Sequence, residues 1–541
     1  MLGRRNPQRS LFDAIGLPHR VSSDSFYGRM AAVSDVLFRD EDLKDLYCLD
    51  NGRPSLPPSL MSGVLLLQFY DDVSDEEAVE RLQFDLRWKV ALHLPLDYAG
   101  FDPSTLTYFR RRLLKHGRER YAFDRLVAVG RAAGFIPDRV TVLIDTTPVK
   151  GAGAVQDTYT LLRKGIRKLL RTAGYHVAAK RQGLAPEVRK LIERYVDQDR
   201  KASIDWSSAQ ERAAQVKVLV EDAEAALELA AADSDNADVR SVGWLLTKIL
   251  GDDIVSDEQS APQLGQGTAP DRVISLTEPE MRHGHKSKAR RFDGFKALTS
   301  TDQSSEMILD IRDIPAAGSE GMHLLPVVEQ IETRAEVQVE RVIGDGAFGS
   351  GTLRAACAAH EESAIDLVSP LAQPRDAEVA KSAFRLDLDT HTAICPQDHR
   401  VVGRKAGKED GQQTYRFTYP RALCEACPLF ARCVRSKKRG RTVSTAAYEA
   451  YLQAARARQE SEVFKLLYRQ RPAIERKQAE LVQNGLRDTR YLGRRKRQLQ
   501  RLWVGAGVNL RRLFGLAEAK GVDLRAALSD HPWQIAPALV T

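Results

Sequence analysis

Long apolar runs are missing from this 541-residue chain. Its most apolar stretch, Leu60–Tyr70, falls well short of the roughly 18 residues that a membrane helix requires, so it reads as a buried helix. The N-terminus is basic, with Arg4, Arg5 and Arg9, but lacks a long apolar segment and a small-residue cleavage site. Export is therefore not indicated, and a cytoplasmic location is the expectation. Cysteine is scarce: six in so long a chain do not make a disulfide framework. There is also no glycine-rich loop followed by Lys and Ser or Thr to cradle phosphates, which argues against use of ATP.

What is present is an ordinary globular composition, 43% hydrophobic and 28% charged, in a chain longer than one core can fill, so several modules are expected. The net charge is +8 and the basic residues cluster. One cluster is Arg110–Arg112 with Lys115, Arg118 and Arg120. A second is Lys286–Arg291, preceded by His283 and His285 and including Lys288. The third, Arg487–Arg501, holds Arg490, Arg494, Arg495, Lys496, Arg497 and Arg501. Any one of them could be a solvated face, but three together suit a polyanionic partner, DNA or RNA, better than a membrane.

Periodicity divides the chain. Residues 1–130 read as a helical module, with helices over Met30–Leu46, Leu60–Tyr70 and Glu76–Leu92, the last opened by a Ser74/Glu77 capping box, then an arginine-studded helix around Tyr108–Gly117. A β-branched run, Val140–Ile144, marks the first core strand within 139–155 and delivers Asp145. Residues 156–270 form a helical insertion, including the Ala-rich stretch Ala223–Ala232, and end in a Ser/Gly/Gln/Pro-rich link. In 271–370, strands over Phe292–Thr301 and Met307–Ile314, a helix over Gly321–Ala335 and a strand over Arg341–Gly344 ending at Asp345 complete a β-β-β-α-β order. A cysteine-bearing, β-rich insertion fills 371–445. The remainder, 446–541, is helical: one long helix over Ala446–Tyr468, then Pro472 and a charged helix bearing Glu475.

Two acids at the ends of neighbouring strands bind hard divalent cations, and a pair of Mg²⁺ ions is what in-line phosphodiester chemistry needs. At these residues the chain resembles the DDE transposases of bacterial insertion sequences. Val140-Thr-Val-Leu-Ile-Asp145-Thr-Thr is similar to the strand carrying the first acid, and Val342-Ile-Gly-Asp345-Gly-Ala-Phe348 to the segment carrying the second. Tyr468, Arg471 and Glu475 fit the family's Tyr-x2-Arg-x3-Glu-x6-Lys signature, although its lysine position is Val482, leaving Lys477 or Arg487 to substitute. Phe101-Asp-Pro-Ser-Thr-Leu-Thr-Tyr-Phe-Arg-Arg111 resembles the end of the helical N-terminal domain of these proteins.

The resemblance implies an α/β protein with an RNase H-like mixed-sheet catalytic core, whose metal-binding catalytic residues are Asp145, Asp345 and Glu475. It implies two Mg²⁺ ions, with Mn²⁺ as a substitute, double-stranded element-end and target DNA as partner, and a homodimer or larger assembly on DNA. Glu480 is a rival third acid but lies five residues from Glu475, on another helix face. Arg471 suits a bidentate phosphate grip and Tyr468 a place beside the scissile nucleotide, though an ordinary i,i+4 ion pair of Arg471 with Glu475 is the bland alternative. Lys477, Arg487, Arg490, Arg494, Arg495, Arg110 and Arg111 are the other expected DNA contacts.

Cys424-x2-Cys427 with Cys433 and Cys395 supplies four thiolates, enough for a closed, structural Zn²⁺ site, with His399 as an alternative fourth ligand and four unliganded thiols as the alternative overall. Cys48 and Cys357 read as buried, apolar-type residues. Two further functions stay open: a metal-dependent nuclease of the same fold that cuts without joining, and an inactive, transposase-derived DNA-binding protein.

Overall fold

The computed structural model describes residues 1–4, 18–48, 50–52, 54–199, 203–255, 261–287, 289–360 and 363–530; Arg5, Arg9 and Lys288 of the basic stretches lie outside them. At its centre is a mixed sheet built from β1 (Arg139–Lys150), β2 (Arg282–Ser287), β3 (Arg290–Asp302), β4 (Ile308–Pro315), β5 (Gln338–Ile343) and β6 (Asp366–Val368). The strand order is β4-β3-β1-β5-β6, with β2 paired to the start of β3. Strands β3 and β4 run antiparallel to their neighbours, while β1, β5 and β6 run parallel, the β4-to-β5 connection passing through helix Leu324–Ala335.

The first strand does not end at Asp145. It continues to Lys150 because β3 pairs with it from Val142 to Lys150, whereas its pairing with β5 stops at Leu143 opposite Ile343. Asp145 thus sits where β1 loses its parallel neighbour and keeps its antiparallel one. Side chains alternate across a strand. Val140, Val142 and Ile144 enter the main core, while Leu143 packs on the other face with Ile343, Val368, Phe464 and Ile474. Asp145 shares the parity of Leu143, so it belongs to the face covered by helices Glu462–Tyr468 and Pro472–Gln483.

The N-terminal helices do not form a core of their own. Helix Pro58–Tyr70 is buried at every position but its last, and the 27-residue helix Arg494–Lys520, buried from Leu499 to Leu510, belongs with it to the same core as the sheet. A helix that is apolar all round has no solvent face, which is why these elements fuse. By contrast, helices Thr158–Thr172, Ala209–Ala231 and Ala237–Asp253 of the insertion close around a separate core, as does the cysteine-bearing module with Phe384, Ala393, Phe417, Tyr419 and Val443.

Two expected helices are each split by a polar cap. Ser74 Oγ accepts from the Glu77 N–H as anticipated, but Asp85 then accepts from the Arg87 N–H and divides the element into Asp75–Phe84 and Leu86–Ala91. Likewise Ser461 accepts from the Phe464 N–H, separating Glu449–Gln459 from Glu462–Tyr468. Such caps satisfy orphan N–H groups at a helix start, so a new helix axis begins there. Cys357 is buried as expected, whereas Cys48 is exposed. Among the described residues no helix is long and apolar enough to cross a membrane.

Candidate active site

Asp145 and Asp345 each stand two residues beyond the last registered pair of the adjacent parallel strands, Leu143 and Ile343. The turn that carries Asp345 is held close to β1: a Cβ on Gly344 would lie 2.8 Å from the Phe348 ring and 3.1 Å from Ile144 Cγ2. Only glycine allows that approach. Asp345 then caps the short turn Gly346–Phe348, its Oδ1 accepting from the Ala347 N–H at 2.9 Å, while its carbonyl accepts from Ser369 Oγ at 2.6 Å.

The third acid arrives from helix Pro472–Gln483. Pro472 occupies the first turn, where its missing N–H costs nothing, and Glu475 follows in that turn. Arg471, immediately before the helix, links the acids: its Nη2 donates to Asp145 Oδ2 at 3.0 Å and its Nη1 to Glu475 Oε1 at 2.5 Å. Asp145 Oδ1 also accepts from the Thr146 N–H at 2.8 Å. Burial pushes the Asp145 carboxyl up to about 6, reinforced by the charges of Asp345 and Glu320 and opposed by Arg471 and the Thr146 N–H. Asp345, Asp145 and Glu475 all act on the half-buried Tyr468, whose ring stacks against Phe464 with centroids 5.8 Å apart. The three acids, Arg471 and Tyr468 therefore occupy one locality.

Glu480 does not join them, because it pairs with Lys477 Nζ at 2.8 Å. Among the described residues no three His, Cys, Asp or Glu side chains are already gathered as a metal cage. In the acid cluster a guanidinium stands between two of the carboxylates.

The expected DNA contacts divide by exposure. Arg111, Arg487 and Arg494 face solvent. Arg110 is buried and pairs bidentately with Asp75, at 2.8 and 2.5 Å, so it braces the N-terminal helices and does not face solvent. Lys477 is likewise buried with Glu480. Arg490 binds Asp72 and the Val73 carbonyl, and Arg495 is exposed but paired with Glu119 at 3.0 Å. Within the same basic stretch Arg497 is buried against Glu278 at 2.9 Å, and Arg501 against Asp313 at 3.1 Å. The partners of Arg490, Arg495, Arg497 and Arg501 lie 188 to 418 residues away in the sequence, so composition alone could not tell an internal cation from an external one.

Sequence reading missed Glu320. It lies just ahead of helix Leu324–Ala335, accepts from Thr146 Oγ1 at 2.9 Å and from Lys296 Nζ at 2.7 Å, and raises the proton affinity of Asp145. An acid in a Ser-Glu-Gly loop carries no motif that would have marked it.

The four clustered cysteines and His399 line one pocket with Phe384, Tyr419 and Leu423. The Tyr419 hydroxyl is buried there without a hydrogen-bond partner. Its proton is held more tightly than usual, first by burial and then by Cys395, Cys424 and Cys433. Burial also raises the Cys433 thiol, against the pull of Arg441.

Two family models match the chain. Residues 17–112 are similar to a transposase domain described as DUF772, and residues 394–514 to a transposase DDE domain. The second match takes in the cysteine cluster, Tyr468, Arg471 and Glu475, while Asp145 and Asp345 lie between the two matches. No curated protein and no solved structure matches the chain.

Proposed function

The chain belongs to the DDE transposases of insertion sequences, and from that premise we propose that it binds the terminal inverted repeats of its element, cleaves there, and joins the freed 3′-OH to target DNA on an RNase H-like core. The observation that supports this most is the convergence of three acids from distant parts of the sequence, Asp145 and Glu475 on one guanidinium and Asp345 just beyond the strand paired with that of Asp145. The donor set fits hard divalent ions, Mg²⁺ or Mn²⁺: it is all carboxylate, and Arg471 already supplies a positive charge between two of the acids. When bound, two such ions supply the charge that activates the attacking oxygen and stabilises the leaving one.

The chain's own residues do the rest. Asp145 is delivered in its ionised form once its proton leaves near neutral pH. With divalent ions held by the carboxylates, Arg471 would be free to present its fork to a backbone phosphate, and Tyr468 would pack beside the scissile nucleotide. The exposed Arg111, Arg487, Arg494 and Arg495, with the N-terminal helices, hold the duplex by its phosphates, so affinity falls as salt rises. Two ends must be held together, which calls for a dimer or larger assembly. In the cysteine pocket Cys395, Cys424, Cys427 and Cys433 would hold Zn²⁺ as a closed structural site. The orphaned Tyr419 hydroxyl fits that reading, since a metal-bound thiolate would accept a hydrogen bond from it.

Incubation of the protein with Mg²⁺ and labelled DNA carrying element ends tests the activity. Wild type yields cleaved ends and strand-transfer products while Asp345→Asn yields neither; equal products from both proteins would end this mechanism.

A further inference from the structure

The charge of the molecule is unevenly held. Residues 392–445 contain 12 Lys and Arg against 4 Asp and Glu, a net of +8 equal to that of the whole chain, so the remaining 487 residues are balanced. These 54 residues make up most of the small module that precedes the helix of Glu475. Its strands are β7 (Arg385–Asp387), β8 (Thr392–Ile394), β9 (Arg400–Val402), β10 (Arg404–Glu409), β11 (Gln412–Thr418) and β12 (Thr442–Ser444), arranged as two three-stranded sheets, β9-β8-β7 and β10-β11-β12.

The cations of the second sheet are not neutralised internally. Every residue of β10 is exposed, and Arg404, Lys405, Lys408, Arg416, Arg435, Lys437, Lys438 and Arg439 are exposed with no ion pair among the described residues. Arg404 stands directly opposite Arg416 across the ladder. Like charges facing each other in a strand pair destabilise it, so folding alone gives no reason to keep them there. The acids at the hairpin tip, meanwhile, are turned to the protein: Asp410 accepts from Thr352 Oγ1 at 2.5 Å and Glu409 from the Ala447 N–H at 2.9 Å. Thr352 lies in helix Gly351–Ala358, seven residues after Asp345, which anchors the hairpin beside the acid cluster.

We infer that the β10-β11-β12 sheet is a second DNA-binding surface, which grips the phosphate backbone of the duplex beside the acid cluster; this rests on the transposase reading for its partner. Strand β11 spans seven residues, and at about 3.3 Å per residue the cations from the hairpin to the 435–439 loop cover roughly 23 Å, about seven base pairs of duplex. The surface suits a polyanion and not a protein partner. Protein interfaces place apolar residues at their centre and charges at the rim. Here Val402 is the one large apolar side chain in 392–445 among those exposed.

The test compares three full-length proteins on a labelled duplex carrying element ends, across a range of salt. The first is wild type, and the second combines Arg404→Gln, Lys405→Gln, Lys408→Gln and Arg416→Gln. The third is a charge-matched control on the helical insertion, with Lys164→Gln, Arg189→Gln, Lys190→Gln and Lys217→Gln, all exposed in the fold. The hairpin variant should bind at least about 10-fold more weakly and lower the slope of log K against log salt by up to about 3 to 4, near 0.9 for each phosphate no longer neutralised, while the control matches wild type. Its melting temperature should be unchanged or higher, because the Arg404–Arg416 repulsion is removed. Equal affinity and slope for the hairpin variant and wild type would overturn the inference while leaving the transposase reading intact, and would assign the charge to another partner such as an acidic protein. A wild type that binds no duplex would instead overturn the transposase reading and this inference with it.

Discussion

At the scale of single residues, the acid cluster carries its own energetic signature. Asp145 gives up solvation that Arg471 only partly returns, and its carboxyl is pushed from an ordinary 3.8 to about 6. A carboxyl held above its unfolded value binds its proton more tightly in the fold. The ionised form therefore weighs against folding as pH rises from about 4 through 6, by about 3 kcal/mol at most. Asp145→Asn should accordingly melt higher than wild type above pH 6 without divalent metal, and the gain should vanish near pH 4. Thermal scans across that range check this, and an Asn variant less stable at pH 7.5 would contradict it. Removing the acid should raise stability while abolishing cleavage, a trade expected where function requires a buried charge.

At the scale of elements, the edge strand β4, paired with β3 on one side, is bonded by two side chains of the long helix Arg494–Lys520, Gln498 donating to the Ile311 carbonyl at 2.7 Å and Asn509 bonding Ile308. Asn509, fully buried, accepts from the Ile308 N–H at 2.8 Å and donates to the Ile308 carbonyl at 2.9 Å, standing in for a further strand. Asn509→Ala leaves both backbone groups buried and unpaired and should cost about 2 to 3 kcal/mol, read from denaturant midpoints. The cysteine module makes a second expectation. Purified protein should carry one Zn²⁺ per chain by elemental analysis, and Cys427→Ser should lose it and open the 371–445 region to protease while the main core stays resistant. A wild type that purifies with no zinc under reducing, chelator-free conditions would argue for four free thiols.

The same scale shows what a sequence can and cannot reveal. Val140–Ile144 and Arg341–Gly344 were legible as strands because β-branched runs terminate in acids, and Pro472 placed Glu475 in a first turn. The end of β1 was not legible, since only its pairing with β3 carries it on to Lys150. Nor were the breaks at Asp85 and Ser461, where one side chain's hydrogen bond overrides an apolar period that runs on through it. Basic clusters were legible as clusters, but the inward turn of Arg110, Arg497 and Arg501 depends on Asp75, Glu278 and Asp313, which no local pattern ties to them.

At the scale of the whole molecule, a single core joins the N-terminal helices to one face of the sheet, a small cluster lies under the helix of Glu475 on the other face, and the insertion and the cysteine module each have a core of their own. That arrangement fixes β1 and β5 side by side and brings the helix of Glu475 over β1 and β3, so the acids are positioned by the main body, while the module at its edge carries exposed basic charge. The central claim is that Asp145, Asp345 and Glu475 together hold divalent cations. The most direct measurement is Mn²⁺ binding by the full-length protein on end DNA, titrated by electron paramagnetic resonance. The account predicts two ions per active site for wild type and for Glu480→Gln, and loss of binding in Asp145→Asn, Asp345→Asn and Glu475→Gln. Unchanged Mn²⁺ binding in Asp145→Asn, or loss confined to Glu480→Gln, would contradict it.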